Sequence, residues 1–166
     1  MNRSKQIALC AMMAALTFCA TFFLAFPIAP GGGYLNFGDG VLLAGTWLLG
    51  PVLGSLSAGI GSALADLLGG YTVYVLPTLI IKSGMALIAY LPYRLLAHKQ
   101  TLVARLLGAV AAELVMIGGY LAVDSVLYGF PTACLNLPQQ CMQAVFGIIL
   151  SVLLSALLSR LSKFAK

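Results

Sequence analysis

Residues 41–68 read VLLAGTWLLGPVLGSLSAGIGSALADLL, an apolar run whose first charge is Asp66 and whose only strong break is Gly50-Pro51. It is either one long membrane crossing or two short ones, and the charges on either side decide between them. Basic residues mark the N-terminus (Arg3, Lys5), the stretch from Arg94 to Arg105, and the C-terminus (Arg160, Lys163, Lys166). Positively charged connections stay in the cytoplasm. A single crossing over 41–68 would place the Arg94–Arg105 connection and the C-terminus outside. A split at Gly50-Pro51 puts all three basic sites inside. The sequence therefore predicts an all-α membrane protein of six transmembrane helices with both termini cytoplasmic, forming a single domain over 1–166. Helices 2 and 3 are short, and short glycine-interrupted segments are tolerated at membrane depth only beside protein or a water-filled cavity.

Composition agrees. Of the 166 residues 61% are hydrophobic and 8% charged, and the mean hydropathy is +1.04, too little charge to cover a water-soluble surface. The apolar residues come in blocks of roughly 20, the length of a helical span, rather than in the alternation of a β-barrel. The net charge of +5 sits at helix ends and reports orientation. The remaining helices are predicted over about 4–26, 74–97, 102–128 and 138–162. The first has an apolar run too long for a signal peptide and is read as a retained helix. Cys10 and Cys19 read as packing residues; Cys134 and Cys141 lie near the outer face and form no CxxC pair.

All four acidic residues (Asp39, Asp66, Glu113, Asp124) fall in the outer loops or in the helices leading to them. An ionisable group at membrane depth is costly and usually faces a cavity or a partner. Tyr74, Thr78 and Lys82 share one helical face, as do Ser62 and Asp66, and Glu113, Tyr120 and Asp124 follow one stripe. Gln140 and Gln143 share a face at the start of the last helix, where Gln139 also lies. These stripes predict a polar pocket reached from outside, with Asn36, Asp39, Asp66, Tyr74, Thr78, Lys82, Glu113, Tyr120, Gln140 and Gln143 as candidate substrate contacts. Simpler roles stand beside these. Asp39 has the position of a helix cap, Asp66 and Lys82 the spacing of a structural ion pair, Asp124 that of a solvated carboxylate, and Trp47 that of an interfacial anchor.

Small residues recur at every fourth position: Ala11 and Ala15; Ser57, Gly61 and Ala65; Ala104, Gly108 and Ala112. Such ridges let helices approach closely, and one left facing lipid would serve a partner subunit. There is no GxxxxGK[ST] phosphate loop, no HExxH and no GxSxG; the one histidine, His98, lies in a basic connection. No catalytic centre, metal or cofactor is expected.

The run Tyr34-Leu35-Asn36-Phe37-Gly38-Asp39, with Leu49-Gly50-Pro51, Gly59-Ile60-Gly61-Ser62-Ala63-Leu64-Ala65-Asp66-Leu67, Gly70-Tyr71 and Leu79-Ile80-Ile81-Lys82, resembles the substrate-binding S components of energy-coupling-factor (ECF) transporters. The branch it resembles includes hydroxymethylpyrimidine- and pyridoxine-type proteins. The resemblance implies a non-enzymatic, multi-pass protein of a prokaryotic cell membrane that binds a small vitamin or vitamin precursor in an outer pocket capped by the first loop. It further implies a membrane partner, the T component, two ATPase subunits that supply the energy, and a partner contact at Ala11 and Ala15. A self-sufficient secondary transporter with Glu113 as proton carrier is the alternative, and a membrane enzyme using Asp39, Asp66 or Glu113 a more distant one.

Overall fold

A computed structural model describes residues 2–27, 34–96 and 101–164. Helix α1 (Arg3–Phe22) leads through a turn into strand β1 (Ala25–Pro27), which pairs antiparallel with β2 (Tyr34–Asn36) so that Ala25 faces Asn36. This corrects two expectations. The first helix stops short of residue 26, and the all-α bundle carries one short strand pair where a loop was expected. Backbone groups past the helix end find partners in the opposing strand instead of the next helical turn.

Helices α2 (Gly38–Leu49) and α3 (Pro51–Leu68) are separate, as the Gly50-Pro51 break implied. Gly50 has φ 84°, a left-handed conformation that favours glycine, and Pro51 opens α3 at a position where its missing N–H costs nothing. A 3₁₀ turn (Thr72–Tyr74) then feeds α4 (Val75–Leu96), followed by α5 (Thr101–Tyr128), the short α6 (Phe130–Leu135) and α7 (Leu137–Phe164). Among the described residues five helical stretches are long and apolar enough to cross a membrane, and α2 is an additional short apolar helix. With 18 residues, α3 is long enough to span by itself, so of the two helices expected to be short only α2 is. Its 12 residues cover about 18 Å at 1.5 Å per residue. Nearly every residue from Gly38 to Trp47 is buried, because α2 runs inside the bundle against α1, α3, α4 and α7.

Large apolar side chains cover the outside of the bundle: Val126 is 86% exposed, Leu95 78% and Ile80 71%. Such a surface suits hydrocarbon and not water. Small residues fill the inside. Ala58, Ala86, Ala89, Ala104, Ala109 and Ala112 have no accessible surface. A Cβ on Gly61 would collide with the Ala14 carbonyl oxygen of α1, and one on Gly108 with the Ala89 carbonyl oxygen of α4. The ridges Ser57/Gly61/Ala65 and Ala104/Gly108/Ala112 are accordingly buried between helices, whereas Ala11 and Ala15 are exposed on the outside of α1.

Candidate ligand-binding site

Asn36 before α2, Asp66 near the end of α3, Tyr74 of the 3₁₀ turn, Thr78 at the start of α4, Asp124 near the end of α5 and the glutamines opening α7 meet at one end of the bundle. They enclose a cavity of about 110 Å³. The start of α1 and the end of α7 lie at the opposite end, since α1 runs toward the pocket and α7 away from it.

Below the pocket, the side chains form a connected network. Lys82 Nζ donates to Asp39 Oδ1 at 2.5 Å, and Gln143 Nε2 donates to Asp39 Oδ2 at 2.5 Å. Gln143 Oε1 accepts from Asn36 Nδ2 at 3.4 Å, and Asn36 Oδ1 accepts the Gly38 N–H at 2.9 Å. Asn36 therefore does the helix-start work expected of Asp39, whose carboxylate is wholly buried and held from α4 and α7. The ion pair of Lys82 is with Asp39 and not with Asp66. Lys82 also lies 5.5 Å from the centroid of the Tyr120 ring. Glu113 sits beside this network with both carboxylate oxygens buried and without a hydrogen-bond partner among the described residues. It has room only because position 147 is glycine: a Cβ there would strike Glu113 Oε1 and come within 3.1 Å of Asp39 Cβ.

The upper wall is a second network. Tyr74 Oη donates to Asp124 Oδ1 at 2.7 Å and Asn136 Nδ2 to Asp124 Oδ2 at 3.0 Å. The Thr78 and Tyr120 hydroxyls lie 2.8 Å apart. Asp124 is 3% exposed, so it is a buried wall residue and not the solvated carboxylate its position near the helix end suggested.

Of the candidate contacts, Asn36, Asp66, Tyr74, Thr78, Tyr120, Gln140 and Gln143 line the cavity. Asp39, Lys82 and Glu113 do not; they are buried beneath it. Tyr71, Met116, Asp124, Asn136 and Gln139 line it as well and are not among the candidate contacts. Met116 falls between Glu113 and Tyr120 on the α5 stripe, where an apolar residue gave no polar signal, and Asn136 was read as part of a connection. Trp47 is no interfacial anchor: it is 6% exposed, and its indole N–H donates to the Ala89 carbonyl at 3.3 Å. Of the first loop, Pro27–Asp39, expected to cap the pocket, residues 28–33 lie outside the described residues, as does His98.

A polar pocket set at one end of an apolar bundle of membrane-length helices defines a membrane-embedded binding protein. The ECF-type riboflavin transporter S-component family model matches residues 1–160, and the chain belongs to the S components of ECF transporters: it is the substrate-binding, multi-pass membrane subunit of such a system. This decides for the S component over the self-sufficient carrier. Among relatives, the chain is 31% identical over 159 residues, covering 94% of itself and 89% of the relative, to the thiamine precursor transporter HmpT of Lactococcus lactis subsp. cremoris (strain MG1363). It is 39% identical over 131 residues, 78% of itself and 85% of the relative, to an uncharacterized protein of Pyrococcus woesei. A solved S component of a bacterial ECF transporter superposes with a TM-score of 0.75 at 26% identity, covering 99% of both chains.

Proposed function

We propose that this S component captures a single-ring vitamin precursor of the hydroxymethylpyrimidine type at the outer face. The observation that carries this reading is the size and polarity of the cavity. About 110 Å³ has room for roughly seven to eleven water-sized groups, which suits one substituted ring. Its walls offer carboxylates (Asp66, Asp124), amides (Asn136, Gln140, Gln143) and hydroxyls (Thr78, Tyr120) to the ring nitrogens, amino group and hydroxyl of such a molecule. Asp39 and Lys82 act from below by fixing Gln143, and Glu113 lies next to them. The similarity to a thiamine precursor transporter points the same way.

Six crossings, counting buried α2, put both termini and the Arg94–Arg105 connection in the cytoplasm and open the pocket outward. The chain forms one domain over 1–166. Uptake against a gradient is driven through a T component and two ATPase subunits.

Calorimetric titration of the purified protein with hydroxymethylpyrimidine, pyridoxine and riboflavin tests the substrate. Hydroxymethylpyrimidine should bind tighter than about 1 µM, equivalent to ~8 kcal/mol. Asp124→Asn and Thr78→Val should each weaken it by about tenfold, the cost of one mispaired buried polar group. Riboflavin binding in place of the pyrimidine would overturn this reading.

A further inference from the structure

A second cavity, of about 190 Å³, lies at the end of the bundle away from the pocket, among Trp47 of α2, Tyr93 of α4, Arg105 of α5 and Ser155 of α7. Arg105 precedes Asp124 on α5 by nineteen residues, so the two sites are about 28 Å apart along the helix, close to the thickness of the hydrocarbon layer. The Arg105 guanidinium carbon lies 5.9 Å from the Trp47 ring centroid and 5.8 Å from that of Tyr93. The two rings, 6.3 Å apart, lie to one side of the guanidinium, which leaves its other side toward the cavity. Arg105 Nε is buried and has no hydrogen-bond partner among the described residues.

No acidic side chain is available to neutralise it. The chain has four, and all belong to the pocket half: Asp39 is held by Lys82 and Gln143, Asp124 by Tyr74 and Asn136, Asp66 lines the pocket and Glu113 lies beside Asp39. A half-buried guanidinium with an unpartnered Nε, aromatic walls and an adjoining cavity has the composition of a phosphate-binding site. Its depth, one membrane thickness from the vitamin pocket, is that of the lipid headgroups.

We propose that this cavity is an oxyanion site that takes the phosphate of an anionic lipid headgroup, with Arg105 as its ligand and Trp47 and Tyr93 as its walls. Free phosphate shares the chemistry, and lipid supplies it at far higher local concentration. The site is independent of which vitamin the outer pocket binds.

Trp47 is the single tryptophan of the chain and reports from inside the site. The experiment reconstitutes the protein in phosphatidylcholine nanodiscs doped with acyl-brominated phosphatidylglycerol or with the same fraction of acyl-brominated phosphatidylcholine, and reads quenching of Trp47 fluorescence. The expected result is about a fivefold preference for phosphatidylglycerol, the equivalent of one basic side chain near an anionic lipid. Arg105→Gln should abolish it, Arg105→Lys keep part of it, and Arg94→Gln, which changes only an exposed charge nearby, leave it intact. Should Arg105→Gln fail to fold by circular dichroism, Ser155→Leu fills the cavity with Arg105 in place and must remove the preference. In undoped discs, a change in Trp47 emission with inorganic phosphate but not chloride, lost in Arg105→Gln, would assign the site to free phosphate as the source. Equal quenching by both lipids with no response to phosphate overturns the proposal, as does a preference that survives Arg105→Gln.

Discussion

Lys82 and Asp39 hold each other in surroundings where neither charge has water to fall back on. Both are almost wholly buried, so a one-sided deletion leaves an uncompensated ion. Lys82→Met should destabilise the protein by about 3–5 kcal/mol, read as a lowered melting temperature in detergent. Adding Asp39→Leu should restore much of that loss, because a well-packed apolar pair replaces a buried ion pair at little cost. A melting temperature unmoved by Lys82→Met would show that the pair contributes no stability. Gly147→Ala tests the crowding beside it. The added methyl meets Glu113 Oε1 and Asp39 Cβ, and overpacking of this kind costs about 1–3 kcal/mol; unchanged thermal stability would mean that Glu113 turns away freely. These side chains were legible in the sequence as polar residues at membrane depth, but their pairing was not. Asp66 and Lys82 lie on consecutive helices and suggested themselves as partners, whereas the pair that forms is fixed by α2 running inside the bundle. That is a tertiary fact with no local signature. Asp124 was misread for a related reason: its distance from the helix end suggested water, and Tyr74 and Asn136 close over it.

Between helices, contact depends on missing side chains. Gly108 lets α5 lie against the Ala89 carbonyl of α4, and Gly61 does the same for α3 against α1. Gly108→Leu should therefore separate α4 from α5 and abolish stable insertion, read as loss of a monodisperse peak in size-exclusion chromatography. Gly118→Leu, at a position with open space around a Cβ, should be tolerated on the same helix; equal damage from both would mean that the close approach is not what matters. Gly50→Ala should cost about 1 kcal/mol through its positive φ, without altering the path of α2 and α3. The helices and the break at Gly50-Pro51 were readable because hydrophobic block length and Gly-Pro chemistry are local signals. The end of α1 was less so. Residues 23–26 stay apolar, and only the pairing of 25–27 with 34–36 turns the chain from helix to strand. Helix α6 was likewise hidden, since six residues opened by Gly129-Phe130-Pro131 read as a connection.

At the scale of the whole molecule, what must be explained is how an S component with no phosphate loop in its sequence takes part in uphill uptake. The work has to enter through contact with another subunit, and the bundle shows where contact is possible. Two of its three small-residue ridges are buried within the chain, while Ala11 and Ala15 remain exposed on α1. Methyl side chains on a lipid-facing helix permit a partner helix to approach at short range, a contact that larger residues forbid. Neither alanine lines the pocket, and no residue of α1 does. Ala11→Trp and Ala15→Trp should therefore leave ligand affinity of the isolated protein within about twofold, well under the tenfold that 1.4 kcal/mol represents. The same substitutions should abolish copurification with the T component and ATP-dependent uptake in reconstituted vesicles. Measured together, the three quantities separate coupling from folding: a variant that binds ligand normally but neither assembles nor transports has lost only the partner. If the tryptophan variants assemble and transport as the native chain does, the coupling face lies elsewhere on the bundle. If uptake proceeds with no ATPase present, the energy does not come through a partner at all.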